Sequence, residues 1–366
     1  MGKQSWEPEK IDRVGKNLLD WYERSRRDLP WRHSRDPYAI WISEVMLQQT
    51  RVAVVIERYL AFMLRFPTLA SLAKASEQDV LAMWSGLGYY RRARMLHKTA
   101  RFVAEHLQGN LPHTAKELRH LPGIGAYTAA AVASIAHGEQ VAVVDGNVER
   151  VLFRLEGWKA GRRSSHTAQL QRKIEHLAAS LVSPLRPGDS NQALMELGAT
   201  LCMPRNPQCT ACPVAADCKT QGEHQTMPRQ RMQSRDAAYA LSLRNGRAAG
   251  QANREVLLEQ RPATLSVMPG LWELPSLVHS DFPEEQLRMT LRHAIMLVNY
   301  SVRIRAVSEK DVAALTVSGG RRRWVALDEA AKMALTGLAR KVLTRTHLLA
   351  AKPESAVAQL HEKAVL

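Results

Sequence analysis

Two carboxylates, two glycines and four thiols carry the chemistry legible in this chain. Glu44 shares a helical face with Ile40, Trp41 and Leu47, an apolar stripe. A carboxylate there is either the buried partner of a cation or a functional acid. Burial disfavours the charged form and raises the pKa, as an acid working near neutral pH requires. Asp145 follows the apolar run Val141 to Val144 and precedes a new helical pattern, so it is a helix N-cap or a second functional carboxylate. Twenty positions earlier stands Gly125, the end of Leu121-Pro122-Gly123-Ile124-Gly125. Gly123 and Gly125 permit a turn that other residues resist. The alanine-rich run Ala126 to Ala136 then reads as a helix. Its free N–H groups would point into the turn and seat a phosphate oxygen without a charged side chain. The alternative is an ordinary turn between helices. Side by side in a basic chain, these pieces favour a backbone clamp beside a functional carboxylate.

The four cysteines are Cys202, Cys209, Cys212 and Cys218, spaced C-x6-C-x2-C-x5-C. Four thiolates so close together can surround one iron–sulfur cube or one zinc ion. Zinc ribbons use two separated CxxC pairs, and only Cys209 and Cys212 make such a pair. The spacing therefore favours a [4Fe–4S] cluster. Pro204, Pro207 and Pro213 would hold the surrounding loop. No other redox motif accompanies the cysteines, so the cluster is expected to fix a basic loop.

The whole chain sets the context for these groups. It has 366 residues, 51 basic against 35 acidic, and a formal net charge of +16. That length implies two or three domains, and that charge implies a polyanionic partner, most simply nucleic acid. A solubilising basic surface is the plainer alternative. There is no transmembrane run, and Met1 to Lys10 is too polar for a signal peptide. A cytoplasmic, nucleoid-associated protein of a bacterial cell is expected, with no membrane partner and as a monomer.

The elements that must position the chemistry are mostly helical in the first two thirds. Glu9 to Tyr22 has helical spacing. Arg24 to Arg35 is a basic loop containing Trp31, suited to nucleic-acid stacking or to a tryptophan pinned in the core. Asp36-Pro37 starts the helix that carries Glu44. Helical patterns fill Arg51 to Gln108, Asn147 to Leu155 and Thr167 to Val182. Pro184, Pro187 and Gly188 read as a loop, and Asn191 to Leu201 leads into the cysteines. Beyond a linker the period falls to two. Ala238 to Leu243, Glu255 to Glu259, Tyr300 to Val307 and Arg323 to Leu327 read as strands. Pro283 to His293 and Asp328 to Leu335 read as helices, which makes the second domain α+β. Arg321 to Arg323 and Arg340-Lys341 are candidate phosphate contacts or a solvated basic face.

Together these pieces resemble the MutY-type adenine DNA glycosylases of the helix-hairpin-helix superfamily over about residues 9 to 345. The resemblance rests on Trp41 to Thr50 (WISEVMLQQT), Gly86 to Tyr90 (GLGYY), Leu121 to Gly125 (LPGIG), Val144 to Asn147 (VDGN) and the four cysteines. It implies an all-α domain over 1–221, with a six-helix hairpin-bearing part at about 32–140 and a cluster-bearing part from 1–31 and 141–221. A linker at 222–235, a Nudix-like α+β domain at 236–350 and a tail at 351–366 would follow. The Nudix-like part is carried by Glu255 to Pro262 and Gly270 to Pro275, without the acidic helix that nucleotide hydrolysis needs. Lyases that share the hairpin and cluster have a lysine nucleophile where this chain has Tyr127, and a phenol cannot form a Schiff base.

The resemblance also implies roles. The target adenine would be extruded from the duplex. Glu44 would protonate it, and Asp145 would stay ionised and stabilise the charge developing on the sugar, a division of labour like that of paired-carboxylate glycosidases. Tyr127 and Asn147 would support the site. Gly123, Gly125, Gln49, Tyr89 and Arg92 would contact DNA. Arg27, Leu29, Trp31 and Gln192 would lie near the adenine pocket. His293, Ile295, Met296 and Leu297 would face the opposite base, with 8-oxoguanine:adenine or guanine:adenine as the mispair. Family members usually carry a Phe-Ser-His loop there. Met296 and Leu297 offer no hydrogen-bond donor, and a lost base contact costs on the order of 1–3 kcal/mol of discrimination. A weaker preference for 8-oxoguanine over guanine is therefore expected, unless Asn299-Tyr300-Ser301 supplies the polar groups. The competing readings are a glycosylase for another mismatched base and a non-catalytic cluster protein that senses lesions.

Overall fold

The computed structural model describes residues 6–158, 168–223, 231–246, 254–278, 282–315 and 320–350. The predicted tail at 351–366 and linker residues 224–230 lie outside the described residues. Helices come first: α1 (Pro8–Ser25), α2 (Pro37–Leu47), α3 (Val52–Arg65), α4 (Leu69–Lys74), α5 (Glu77–Met83), α6 (Arg91–His106), α7 (Ala115–Leu118), α8 (Ala126–His137), α9 (Gly146–Glu156), α10 (Ala168–Ser180) and α11 (Pro187–Thr200). The strands follow as β1 (Gln233–Leu241), β2 (Leu243–Asn245), β3 (Arg254–Gln260), β4 (Trp272–Glu273), β5 (Ser276–Leu277), β6 (Leu287–Ile295), β7 (Val298–Ala306) and β8 (Arg322–Ala326), with α12 (Leu327–Lys332) and α13 (Gly337–Arg345) last. Internal contacts divide the chain into two units. The first joins Met1–Ala73 to Lys98–Pro228, and the second joins Lys74–His97 to Arg229–Leu366.

Sequence signals account for most helix starts in the first unit. Proline opens α1, α2 and α11, where its missing N–H costs nothing. Pro187 therefore begins a helix, in place of the loop that Pro184, Pro187 and Gly188 suggested. Asp36 caps α2 by accepting from Tyr38 N at 3.0 Å, and Thr114 and Glu117 form a capping box on α7. One apolar core gathers Val14, Leu18 and Tyr22 of α1 with Val151 and Leu152 of α9, Ile174 of α10 and Leu194 of α11. A second contact region sets α2 beside α8. The expected stripe on α2 is in fact a sheath: every residue from Tyr38 to Met46 is buried, as in a helix with no solvent face. Ala129 to Ala133 of α8 are buried as well, and their small side chains let the two helices approach. Asn191 of α11, fully buried, accepts from Val143 N at 2.9 Å and donates to Val141 O at 2.8 Å and Ser134 Oγ at 3.0 Å. This amide fixes the extended segment that delivers Asp145.

The second unit is α+β. One sheet has the order β5-β1-β7-β6, with β1 and β7 parallel, and the other has β2-β3-β4 with β8 paired to β3. Val256, Leu258, Leu291, Val302, Ile304 and Val325 meet Leu338, Val342 and Leu343 of α13 in its core. The predicted helix over Pro283 to His293 is wrong. Leu287 to Ile295 is a strand in a hairpin with β7, pairing His293 with Tyr300 and Ile295 with Val298. The inward residues Met289, Leu291, His293 and Ile295 have period two, and cross-strand pairing outweighs the charged neighbours that read as helical. α13 went unanticipated; its N-cap Thr336 accepts from Ala339 N at 3.1 Å. The candidate phosphate arginines are largely engaged within the protein. Arg322 binds Glu259 at 2.8 Å, Arg323 pairs with Glu329, and Arg340 reaches Ser85 Oγ at 2.9 Å.

Asn191→Ala should destabilise the protein by about 2–4 kcal/mol, because it leaves one buried and one part-buried backbone group without their partner. Denaturant unfolding checks this, and a loss below about 0.5 kcal/mol would show the amide to be dispensable.

Candidate active site

Glu44, Tyr127 and Asp145 come from three elements and converge in the first unit. Glu44 projects from α2 and is 5% exposed. The hydroxyl of Tyr127, in the first turn of α8, donates to its Oε2 at 2.5 Å. Burial pushes the Glu44 carboxyl up; the Tyr127 hydrogen bond and the Arg32 charge oppose this, while the Asp145 charge adds to it, and the pKa settles at about 7. Asp145 is also felt at Tyr127, whose hydroxyl is raised chiefly by burial and then by Glu44. The two carboxylates therefore lie within electrostatic reach of each other.

Asp145 turns out to be both the N-cap of α9 and a member of this site. Its Oδ1 accepts from Asn147 N at 2.9 Å and Val148 N at 2.7 Å, and its Oδ2 accepts from Asn147 Nδ2 at 3.0 Å. Arg150, one turn on, donates to Asn147 Oδ1 at 2.9 Å, to Gly198 O at 2.7 Å and to Cys202 O at 2.9 Å. Gly198 matters by what it lacks. A Cβ there would meet Asn147 Cβ at 2.7 Å, so α11 reaches the start of α9 only with glycine at this place.

A second charged cluster flanks the first. Glu196 of α11 is buried and accepts from Arg27 Nε at 2.7 Å, Arg27 N at 3.1 Å and Arg32 at 2.8 Å. Burial alone would raise this carboxyl, but the hydrogen bonds from Arg27 and Arg32 outweigh it and hold the pKa at about 2. Arg27 is thus tied to Glu196. Leu29 and Trp31 are buried, and Trp31 packs edge-on to Tyr59 at 5.5 Å, which is the core reading of this loop. Gln192 accepts from the Tyr22 hydroxyl at 3.1 Å. Glu196 was missed in the sequence although it stands one helical turn after Gln192, on the same face. Arg150 was missed likewise, three residues after Asn147.

The turn before α8 has the expected form with one difference. Gly123 takes φ +76°, the left-handed region that favours glycine. Gly125 has ordinary extended backbone, φ −86° and ψ 176°, and an added Cβ there would meet nothing within 4 Å. Its role is to leave the N-terminus of α8 open, and no side chain caps that end. Gln49 is exposed just past α2 with φ +56°. In the second unit Tyr89 is exposed with φ +46°, whereas Arg92 donates to Leu87 O and Gly88 O and lies over the Trp84 ring at 5.4 Å. Met296 and Leu297 form the exposed turn of the β6–β7 hairpin, and Met296 holds φ +52°. His293, inside β6, is half-buried, and burial together with the nearby Lys341 lowers its pKa.

The four cysteines form no disulfide and lie around two short 3-10 turns after α11. Cys209 and Cys212 each feel the charge of Cys202 and Cys218. Arg154, buried, donates to Cys202 Sγ at 3.3 Å, and Gln221 N donates to Cys218 Sγ at 3.5 Å. Among the described residues no three histidine, cysteine or acidic side chains are grouped as ligands of one metal ion. No helix among them is long and apolar enough to cross a membrane.

Several known proteins resemble this chain. Residues 42–177 match the HhH-GPD superfamily of base excision DNA repair proteins. The adenine DNA glycosylase of Homo sapiens is 50% identical over 212 residues, which are 56% of this chain and 38% of that protein. That of Arabidopsis thaliana is 40% identical over 322 residues, 77% of this chain and 50% of that protein. The chain thus spans half the length or less of these two relatives. The solved structure of a thermostable thymine-DNA glycosylase superposes with a TM-score of 0.53 at 32% identity, covering 58% of this chain and 97% of that one. The chain belongs to the HhH-GPD superfamily of base excision DNA repair proteins. Within it, the likeness to these adenine DNA glycosylases is consistent with the MutY type.

Folding raises the Glu44 pKa from 4.5 to about 7, so the folded protein keeps a proton that the unfolded chain releases in that range. The resulting stability is complete below about pH 4.5 and is lost as pH rises through about 7. Glu44→Gln, which preserves the Tyr127 contact, should therefore gain on the wild type between pH 5 and pH 8, by up to about 3 kcal/mol. Unfolding at both pH values measures the gain; an equal difference at each would remove the raised pKa.

Proposed function

We propose that the chain is a monofunctional adenine DNA glycosylase that hydrolyses the N-glycosidic bond of adenine mispaired with 8-oxoguanine or guanine. The observation that carries this reading is the buried Glu44 carboxyl, poised at about pH 7 beside Asp145. Near neutral pH Glu44 can both give and take a proton. Protonated, it would donate to the extruded adenine and turn it into a leaving group. Asp145, oriented by Asn147 and Val148, would stabilise the positive charge on the sugar. Glu44, then deprotonated, would activate the attacking water. Tyr127 would hold Glu44 in place and has no amine with which to cleave the strand.

Double-stranded DNA would be seated by the turn at Gly123 and Gly125, with Gln49 and Tyr89 entering near the mispair and Arg92 bracing the Tyr89 loop. Arg27, Leu29, Trp31 and Gln192 would shape the adenine pocket, with Glu196 fixing Arg27. We assign the four cysteines to a [4Fe–4S] cluster: the donor set is all sulfur, its spacing lacks the second CxxC pair of a zinc ribbon, and N–H groups reach two of the sulfurs. Such a cluster would supply a rigid, charge-bearing anchor for the loop it closes. The second unit would be Nudix-like and would meet the base opposite adenine through His293, Ile295, Met296 and Leu297. The apolar turn residues should weaken the preference for 8-oxoguanine over guanine. Action as a monomer in the cytoplasm, at the nucleoid, completes the proposal.

A duplex with adenine opposite 8-oxoguanine, treated with protein and then alkali, should break at the adenine, while thymine opposite guanine serves as the control. Glu44→Gln should slow single-turnover excision by at least about 100-fold. Asp145→Asn should keep DNA binding and lose most turnover. An unbroken duplex, or near-normal excision by both variants, would refute the proposed chemistry. Protein purified without oxygen should be brown and contain iron; a colourless zinc protein would overturn the cluster assignment.

A further inference from the structure

Two sets of bonds hold the segment around Cys218, the last of the four cysteines. The inner set runs along the end of α9. Lys219 N donates to Leu155 O at 3.1 Å, and Thr220 N donates to Arg154 O at 3.2 Å. Gly157 permits this approach: it holds φ +64°, and a Cβ there would stand 3.1 Å from Lys219 Cβ.

The outer set comes from the other end of the sequence. Arg13 of α1 grips Asp217, the residue before Cys218, with a two-pronged bond: Nη2 to Oδ1 at 2.6 Å and Nε to Oδ2 at 3.2 Å. Lys10, three residues earlier on the same face of α1, donates to Asp217 O at 3.5 Å and lies over the Trp6 ring at 4.1 Å. Trp6 Nε1 in turn donates to Glu156, the last residue of α9. Lys219, the residue after Cys218, reaches the same carboxylate at 3.2 Å. Both neighbours of Cys218 are thus tied to the start of the chain, Asp217 directly and Lys219 through Glu156.

An isolated ion pair on a surface contributes little. This one has fork geometry, and although the Arg13 side chain is 55% exposed, that of Asp217 is only 7% exposed. The loop itself is lightly held. Asp217 N donates to Val214 O at 3.2 Å and Cys218 N to Ala215 O at 3.1 Å, the bonds of a single 3-10 turn. Short turns of this kind open locally at small cost while the core stays folded. A group bound by these cysteines can leave through such an opening, and the outer bonds oppose it.

We propose that Trp6, Lys10 and Arg13 form a clasp over the Cys218 segment that sets how long the four-cysteine site retains its cluster. They are positioning residues: they act through Asp217 and Glu156 and touch no cysteine in the proposal. The proposal rests on the cluster assignment. Because the clasp is partly an ion pair, salt should loosen it.

The test uses the full chain, purified without oxygen and mixed with an excess of an iron chelator. Decay of the brown colour is followed beside backbone hydrogen exchange over residues 213–220. Arg13→Gln and Trp6→Phe should each lose the colour about threefold faster or more, with faster exchange at 213–220 and unchanged exchange in α2 and α8. Arg13→Lys should recover part of the lifetime. Arg13→Gln combined with Asp217→Asn should be no faster than the faster single variant, since both cut the same bond. Added salt should shorten the wild-type lifetime and leave that of Arg13→Gln unchanged. Wild-type lifetimes in brown Arg13→Gln and Trp6→Phe proteins, or faster loss with faster exchange in α2 and α8 as well, would overturn the clasp alone. A colourless wild-type protein would overturn the cluster and the clasp together.

Discussion

The hydrogen bond from the Tyr127 hydroxyl to the Glu44 carboxyl, 2.5 Å long, requires α2 and α8 to lie side by side with little between them. The alanines of α8 provide that closeness, and the buried run Tyr38 to Met46 of α2 provides the dry surroundings. Those surroundings lift the Glu44 pKa, and the phenol keeps it from rising further. The same end of α8 carries the glycine turn. Gly125 and Tyr127 are two residues apart, so an anion seated at the helix terminus would sit at a set distance from the acid. The open N-terminus of α8 and the hydroxyl that holds Glu44 are thus built into a single helical turn.

α11 is the counterpart on the other side. Its Asn191 amide fixes the segment before Asp145, and its Glu196 gathers Arg27 and Arg32. Arg32 also acts electrostatically on Glu44. One helix therefore disposes both the second carboxylate and the cations around the first. From Arg150 the connections continue to the carbonyl of Cys202, which ties the cysteine loop to Asn147.

Much of this site was legible because local chemistry announces it. Asp36-Pro37, Gly123 and the position of Asp145 before a helical pattern each have a local meaning, and each kept it in three dimensions, whereas Gly125 has ordinary extended backbone. Glu44 was legible as a carboxylate among apolar neighbours. What failed had causes outside its own neighbourhood. Leu287 to Ile295 carries charges at helical intervals, yet β7 recruits it as a strand. Trp31, set among arginines, could equally have been a stacking surface, and the ring of Tyr59 decides for the core. Arg322, Arg323 and Arg340 read as a cationic face, but their partners are remote in sequence or sit on other elements. Glu196 and Arg150 were visible as types; their significance depends on which helix lies opposite.

Position 198 acts as a spacer of no thickness. With no functional group of its own, it sets how near α11 may come to Asn147, and so where the Asp145 carboxylate rests. A single methyl group there would be a wedge beneath the site, displacing a reactive side chain while leaving every reactive side chain in the sequence. Damage of that kind is invisible to any inventory of acids, bases and ligands. In this molecule, vulnerability to mutation therefore extends to places defined only by emptiness.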